Sequence, residues 1–119
     1  MRILIADGQG RVRFALRVLL AQQSGLLVVG EAAGFEELLA LAPLTEPDVV
    51  LIDWELPGLR DGGGLPALRR VCPSLRIVVL SGNPGVRQAV QAAGGDTFVS
   101  KGEPPDRLLA VVRRRGAAA

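Results

Sequence analysis

The 119-residue sequence contains no histidine and no tyrosine, and aromatic residues make up only 3% of it. These absences exclude a site built on imidazole side chains and a nucleic-acid surface built on stacked aromatic rings. The single cysteine, Cys72, cannot form a disulfide within the chain, which fits a reducing compartment. Long apolar runs are also lacking, because runs such as LLVV and VVLI fall far short of the ~20 residues that span a membrane. We therefore expect a cytoplasmic protein with no membrane contact and no export signal.

Lysine is almost absent as well: of the 14 basic residues, only Lys101 is a lysine, and the others are arginines. The formal net charge is only +2, so charge gives little reason to expect a polyanion as partner. The arginines at 113–115 fit solvated charges at a helix end better than a nucleic-acid contact. We therefore expect no direct binding of nucleic acid. The length predicts one domain, over residues 1–115, followed by a disordered tail at 116–119.

Hydrophobic patterning predicts five strands alternating with five helices. Several strands are apolar at consecutive positions, which is typical of strands buried on both faces of a parallel sheet. The predicted strands are Arg2–Ala6, Leu26–Ala32, Asp48–Ile52, Arg76–Leu80 and Thr97–Ser100. The predicted helices are Arg11–Gln22, Phe35–Leu41, Leu65–Val71, Val86–Ala93 and Arg107–Arg115. This strict alternation indicates the α/β class, with a doubly wound five-stranded parallel sheet and helices on both of its faces.

Four of the predicted strands end at a polar residue that interrupts an apolar run. Asp7, Asp53, Ser81 and Lys101 stand at these four positions. Because the carboxyl ends of parallel strands meet at one edge of the sheet, we expect the four side chains to gather in one crevice. Two carboxylates, a hydroxyl and an ammonium suit phosphoryl transfer onto a carboxylate.

Each of these side chains has a predicted role in that chemistry. Asp53 is the candidate nucleophile, and Asp7 is the candidate ligand for a divalent cation. Ser81 would donate a hydrogen bond to one phosphoryl oxygen, and Lys101 would place its ammonium against another. A crowded strand end needs a slim, rotatable ammonium rather than a planar guanidinium, which explains the lysine at this one position. Trp54, next to Asp53, would either roof the crevice or pack against the following loop.

The same residues make the chain resemble the receiver domains of two-component response regulators, from Met1 to about Arg115. The stretch ILIADGQGRVRFALRVLL is similar to the first strand and helix of the NarL/FixJ-type subgroup. VVGEAAGFEELL and PDVVLIDWELPG are similar to its second strand and phosphoacceptor segment, and VVLSG and AAGGDTFVSKGEPPDRLLAVV to its last two strands with their helices. The resemblance implies a CheY-like, flavodoxin-like sheet with strand order 2-1-3-4-5.

The resemblance also implies functions for individual residues and for the chain. Asp53 would be phosphorylated, and Mg²⁺ would be held by Asp7, Asp53 and the backbone carbonyl of Glu55. Ser81 would be the switch hydroxyl, and Phe98 the aromatic residue whose rotamer follows phosphorylation. The chain would be a signalling module and not an enzyme, with a histidine kinase or a small phosphodonor as its source of phosphate. A C-terminal helix-turn-helix output domain, absent from this chain, would regulate transcription.

One departure from the family pattern concerns the metal. The family usually has two adjacent acids at the end of its first strand, whereas here Gly8 follows Asp7. The missing carboxylate predicts a weakened Mg²⁺ site, and it allows Lys101 to pair directly with Asp53. Two interpretations stay open: a working receiver with weakened metal affinity, or an atypical receiver that acts through phosphorylation-independent protein contact or dimerisation.

Two other features allow further interpretations. The GQG at 8–10 faintly resembles a dinucleotide-binding turn, although Arg13 replaces the third glycine and only Glu31 could serve the ribose. On the first helix, Phe14 and Val18 lie four residues apart, opposite the core-facing residues, so we expect them to meet in solvent as an interaction surface. The candidate partner is a second copy of the chain, in a homodimer, or an attached domain.

Overall fold

A computed structural model gives the fold and describes residues 1–114. The strands are β1 (Arg2–Ala6), β2 (Leu27–Ala32), β3 (Val49–Asp53), β4 (Arg76–Ser81) and β5 (Thr97–Ser100). The helices are α1 (Gly10–Ala21), α2 (Phe35–Thr45), α3 (Gly64–Val71), α4 (Arg87–Ala92) and α5 (Pro105–Arg113). None of the described helices combines the length and the apolar character needed to cross a membrane. The tail predicted at 116–119, and Arg115 before it, lie outside the described residues.

The strands form one sheet in the order β2-β1-β3-β4-β5, and every neighbouring pair is parallel. This confirms the predicted fold class and the strand order that the resemblance implied. The chain leaves β1 to one side for β2 and then crosses to the other side for β3. A crevice therefore opens between the carboxyl ends of β1 and β3, where the strand order switches direction.

Consecutive apolar residues in the strands supply two separate cores. Side chains alternate between the faces of a strand, so neighbours such as Ile3 and Leu4 enter different clusters. The cluster around Phe35 draws its helical residues from α2, α3 and α4, and the cluster around Leu20 draws them from α1 and α5. Helices therefore cover both faces of the sheet, as the consecutive apolar runs predict.

One helix differs clearly from its predicted limits. The pattern predicts that α2 ends at Leu41, but the helix continues to Thr45 with Pro43 inside it. Ala42 is fully buried in the core, and this packing holds the helix together although the proline removes one backbone hydrogen bond. The helix α4 agrees with its predicted limits to within one residue at each end, and Pro84–Val86 forms a 3-10 turn directly before it. The other limits agree with the predictions to within two residues.

At the edge of the sheet where the strands begin, arginines join the helices to the strands. The guanidinium of Arg76 on β4 donates to the carbonyl oxygens of Val111 and Val112 in the last turn of α5. The guanidinium of Arg69 on α3 donates to two main-chain carbonyl oxygens and, at 3.1 Å, to the carboxylate of Asp96. This edge is opposite the crevice, so these charges serve the fold and not the site.

Candidate functional site

The buried polar residues within 1–114 all lie at the carboxyl edge of the sheet. Asp7 follows β1, Asp53 ends β3 and Ser81 ends β4, and their exposed fractions are 1%, 7% and 2%. Lys101 follows β5, and its side chain extends to both carboxylates. The structure therefore brings the predicted lysine and carboxylates together, because the parallel sheet gathers the ends of β1, β3 and β5 along one edge.

Lys101 contacts the two carboxylates at unequal distances. Its Nζ lies 2.9 Å from Asp7 Oδ2 and 3.4 Å from Asp53 Oδ1. The other oxygen of Asp7 accepts the backbone N–H of Gln9 at 2.8 Å, and Asp53 Oδ1 accepts the backbone N–H of Glu55 at 3.2 Å. The sequence predicts a direct pair of Lys101 with Asp53, and the structure contains that pair together with a shorter contact of Lys101 with Asp7.

The charges in the crevice do not balance, because two carboxylates face one ammonium. Burial lowers the pKa of the Lys101 ammonium, but the hydrogen bond to Asp7 and the charges of Asp53 and Asp7 raise it more, so the pKa ends above its usual value. Lys101 therefore stays charged at neutral pH. Lys101 balances only one of the two negative charges, so the other can attract a further cation or take part in a reaction.

The predicted switch residues lie on the two neighbouring strands. The hydroxyl oxygen of Ser81 accepts the backbone N–H of Asn83 at 3.0 Å, at the start of the loop that leads to α4. Phe98 is 3% exposed and belongs to the core cluster that α4 covers. The guanidinium of Arg87, on α4, lies 5.0 Å from the centre of the Phe98 ring, a distance suited to a cation–π contact. No sequence signal marks Arg87, because this contact depends on how α4 packs against β5.

At Gly8 the ring of Pro57 leaves too little room for a Cβ atom. A Cβ at this position would lie 2.9 Å from Cδ of Pro57 and 3.7 Å from the carbonyl oxygen of Ala33. Pro57 is itself held in place, because its carbonyl oxygen accepts the backbone N–H of Phe35 at 2.8 Å. Sequence reasoning missed this role of Pro57, since residues distant in the chain meet here only after folding.

The oxygen donors of the crevice fit Mg²⁺, an ion that keeps several waters and often has only one or two carboxylate ligands. Asp7 and Asp53 supply the carboxylates, and Glu55 follows Asp53 closely enough to be the candidate carbonyl ligand. No group of three acidic or cysteine side chains gathers as a metal site anywhere in residues 1–114. Lys101 already contacts both available carboxylates, so part of their charge is neutralised by the protein.

Comparison with known proteins identifies the architecture around this crevice. Residues 3–113 match the family described as the response regulator receiver domain, which is nearly all of the described chain. The chain belongs to the response regulator receiver family. This confirms the resemblance drawn from the strand-end residues, and receivers of this family are generally signalling domains.

Curated relatives of this receiver are bacterial response regulators. Over 96% of its length the chain aligns at 32% identity with the response regulator GacA of Pseudomonas aeruginosa. Over 97% it aligns at 32% identity with the nitrate/nitrite response regulator protein NarL of Escherichia coli. The alignments cover 54% of each relative, so the receiver spans about half the length of the curated relatives it matches.

Solved structures share the fold of this receiver. One is RcsB from Salmonella enterica serovar Typhimurium bound to promoter rprA in the presence of the phosphomimetic BeF₃⁻. It is 31% identical, with a TM-score of 0.83 over 94% of this chain and 95% of that chain. Another is a two-component response regulator of the LuxR family from Aurantimonas sp. SI85-9A1, 33% identical with a TM-score of 0.81 over 93% and 81% of the two chains.

The residues that suggested a dinucleotide site have other partners in the receiver. Arg13 donates to the carbonyl oxygen of Asp7 at 2.7 Å, and its Nε lies 3.6 Å from Glu31 Oε1. Glu31 also pairs with Arg17. Glu31, the candidate acid for a ribose, is thus held by two arginines, and the receiver match replaces the dinucleotide interpretation.

The predicted interaction pair on α1, Phe14 and Val18, is exposed to solvent. Phe14 and Val18 are 58% and 40% exposed on α1, and the Arg17 guanidinium lies 5.2 Å from the centre of the Phe14 ring. The role of this pair in an interaction stays a prediction.

Trp54 packs against the core, with the Arg60 guanidinium of the following loop 5.6 Å from the centre of its ring. This favours packing on the loop over roofing the crevice.

Proposed function

We propose that this receiver accepts a phosphoryl group on Asp53 and converts the modification into a change of protein contacts. The observation that carries the proposal is the pair of buried carboxylates, Asp7 and Asp53, both in contact with the one lysine of the chain. They lie at the carboxyl edge of a parallel sheet, where a ligand can enter the crevice. Excess negative charge in a buried site lowers the stability of the folded protein, and such a loss is typical of sites that are retained for their chemical function.

The transfer would form one bond and break one. A carboxylate oxygen of Asp53 attacks the phosphorus atom of the donor, a P–O bond forms, and the bond from phosphorus to the leaving group breaks. With a histidine kinase the leaving group is the imidazole nitrogen of its phosphohistidine, and with acetyl phosphate it is acetate. Among the described contacts, Oδ1 of Asp53 is engaged by Lys101 and Glu55, so Oδ2 is the attacking oxygen.

Receiver domains bind Mg²⁺ for phosphorylation. In this chain Asp7, Asp53 and the main-chain carbonyl of Glu55 would hold the ion, and bound Mg²⁺ would offset the charge of the transferring phosphoryl group. We expect weak binding, because Gly8 supplies no carboxylate. Lys101 would turn from the carboxylates to a phosphoryl oxygen, since its ammonium is a compact charge on a flexible stem.

Ser81 and Phe98 would transmit the modification to α4. The Ser81 hydroxyl accepts a hydrogen bond from Asn83, and its own hydrogen can be donated to a phosphoryl oxygen. Phe98 is buried and its ring is next to Arg87, so a change in its rotamer would alter the position of Arg87 and the surface of α4. Such a switch shifts the population between two existing states.

The output of the whole protein is a further part of the proposal. The receiver spans about half the length of its curated relatives, which are response regulators, and the related RcsB is bound to a promoter. By analogy, a C-terminal helix-turn-helix domain would regulate transcription, while the receiver itself would not touch nucleic acid. A histidine kinase or a small phosphodonor would supply phosphate in the cytoplasm.

Intact-mass spectrometry after acetyl phosphate treatment tests the phosphorylation. We expect one added phosphoryl group on the wild-type chain in millimolar Mg²⁺, and none on Asp53→Ala. Asp61→Ala is the matched control, because it removes an exposed carboxylate from the loop after β3, and it should keep the adduct. No adduct on the wild type at any Mg²⁺ concentration would contradict the proposal.

The same samples test the second interpretation, an atypical receiver that dimerises without phosphate. The observation in its favour is the exposed Phe14–Val18 pair on α1. Light scattering of treated and untreated chain measures whether a homodimer forms. A dimer that needs no adduct, and that Phe14→Ser abolishes while the exposed Leu44→Ser on α2 does not, would favour the atypical receiver. A monomer before treatment would count against it.

A further inference from the structure

We propose that the outer edge of β2 is a docking site for an extended, partly acidic peptide segment of a partner protein. The segment adds to the sheet as a short strand beside β2, with its acidic end at Arg17. The site lies on the far side of β1 from the crevice. The inference goes beyond the proposed function, because this docking needs neither a phosphoryl group nor a metal ion.

The first observation is the composition of the edge strand. Among residues 1–114, β2 pairs with β1 alone, so its outer main-chain N–H and C=O groups face no neighbouring strand. Edge strands are usually protected by being short or by carrying charges or proline. The other edge strand, β5, has four residues, whereas β2 has six and reads LVVG before its one charge at Glu31. Leu27, the first residue of β2, is 56% exposed.

The second observation is a groove between this strand and α1. The groove has a volume of about 550 Å³ and is lined by Arg17 and Ala21 of α1 and by residues 26–31. Alternate side chains of an added strand point to the same face of the sheet as α1, so they enter the groove. They cover apolar surface of residues 26–28 that is now partly in contact with water. Main-chain pairing beside a groove that accepts alternate side chains is a general mode of peptide recognition.

A bulge in β2 limits the length of the added strand. Ile3 is the partner of Val28 and Leu4 is the partner of Gly30, so Val29 has no partner residue in β1. Such a bulge increases the local twist and interrupts the regular spacing of main-chain groups. We therefore expect pairing over only a few residues, and the affinity then depends on the groove and on charge as well.

Charge at one end of the groove favours an acidic peptide. Glu31 is the one acidic residue among those that line the groove, and it is shared by two arginines. It pairs with Arg17, and Nε of Arg13 lies 3.6 Å from its Oε1. Two guanidinium groups against one carboxylate leave one positive charge in excess. The Arg17 side chain is 46% exposed, so it can donate to a second carboxylate, the acceptor that best matches a guanidinium.

Fluorescence anisotropy with labelled synthetic peptides tests the docking on the full chain. The probe consists of five alternating valines and threonines with two glutamates at one end. It is made in two versions, with the glutamates first or last, because a strand can add in either direction. The better version should bind with a dissociation constant below about 100 µM, and at least about tenfold more tightly than the same peptide with lysines for glutamates. No binding by either version would overturn the proposal, since main-chain pairing demands no particular apolar side chain.

A methylated probe tests whether the main chain makes the contact. Methyl groups on the main-chain nitrogens of the valines and threonines remove the donors that an added strand needs. This probe should bind at least about tenfold more weakly than its parent. Equal binding by the two probes would overturn the proposal that the peptide adds as a strand.

Substitutions in the chain separate the charged part of the site from the apolar part. Arg17→Gln should remove the preference for glutamate over lysine, while the exposed Arg70→Gln on α3 should change each affinity by less than about twofold. Leu27→Ser should weaken both probes, while Leu44→Ser, more exposed and on α2, should not. If each variant behaves like its control, the groove is not the site.

Amide chemical shifts of the isotope-labelled chain locate the bound probe. The changes should concentrate at residues 26–31 and at the end of α1, and changes confined to another face would overturn the proposal. Light scattering without any probe tests a second copy of the chain as the occupant. A dimer that broadens the same amides would assign the edge to self-association and overturn the assignment to a partner. None of these measurements uses a phosphodonor, so their outcome is independent of the Asp53 adduct.

Discussion

The two edges of the sheet both carry partly buried charges, but they place them against different groups. At the edge where the strands begin, Arg76 donates to two carbonyl oxygens at the end of α5, and Arg69 donates to two carbonyl oxygens beside β4 and β5. At the edge where the strands end, the Lys101 ammonium contacts the carboxylates of Asp7 and Asp53.

The difference separates charges that hold the fold together from charges kept for chemistry. A guanidinium that forks onto main-chain oxygens joins elements whose relative positions do not change. An ammonium between two carboxylates contacts groups that can each take another partner, such as a metal ion or a phosphoryl group. We therefore expect the arginines to govern stability and the lysine to govern what the crevice binds.

The largest effect on the free energy of unfolding is expected from Arg76→Met, which tests the structural role of the arginines. The substitution should lower the free energy of unfolding by about 2–3 kcal/mol, because the carbonyl oxygens of Val111 and Val112 lose a charged donor. Chemical denaturation measures the loss. The exposed Arg70→Met should stay within about 0.5 kcal/mol of the wild type. If Arg76→Met is equally harmless, the arginines do not have the structural role that the comparison assigns to them.

A smaller effect of opposite sign is expected from Asp53→Asn. It should raise the free energy of unfolding by about 1 kcal/mol, because one ammonium cannot neutralise two carboxylates and the amide keeps the oxygen that accepts the N–H of Glu55. Asp7→Asn should stabilise less, since it weakens the 2.9 Å contact with Lys101. Thermal unfolding of both variants at one pH gives their order. The reverse order would show that the contact of Lys101 with Asp53 contributes more to stability than its contact with Asp7 does.

The smallest effect is a pH dependence confined to the lysine. Its contacts with the carboxylates raise the pKa of Lys101 in the folded state, so the stability that they add is present below the usual lysine pKa and is lost as the pH rises through the raised value. The difference in melting temperature between the wild type and Lys101→Met should be constant around neutral pH and shrink only in strongly alkaline solution. A difference that shrinks near neutral pH would contradict the assignment.

Arg76→Met is the control for that pH series. Burial and the neighbouring charge of Arg114 lower the pKa of Arg76, yet a guanidinium keeps its proton in a folded protein. In strongly alkaline solution, the destabilisation by Arg76→Met should therefore persist, whereas the destabilisation by Lys101→Met should disappear.

The elements and the members of the site were predictable because local pattern and topology determine them. A run such as VVLI at 49–52 is apolar at every position, since its alternate side chains enter two cores. Once the sheet is parallel, the polar residues that end its strands must lie along one edge. The sequence alone thus predicted one crevice for Asp7, Asp53, Ser81 and Lys101, and the structure shows the contacts of Lys101 with the two carboxylates.

The sequence by itself therefore determined the α/β fold, its strands and the polar residues at their ends. Only the tertiary structure decided that Lys101 lies closer to Asp7 than to Asp53, that Pro57 fills the space at Gly8, and that Arg87 lies against Phe98. Hydrophobic periodicity is a local property that specifies elements. The exact meeting of side chains from separate loops depends on how those elements pack, and residues distant in the chain set that packing together.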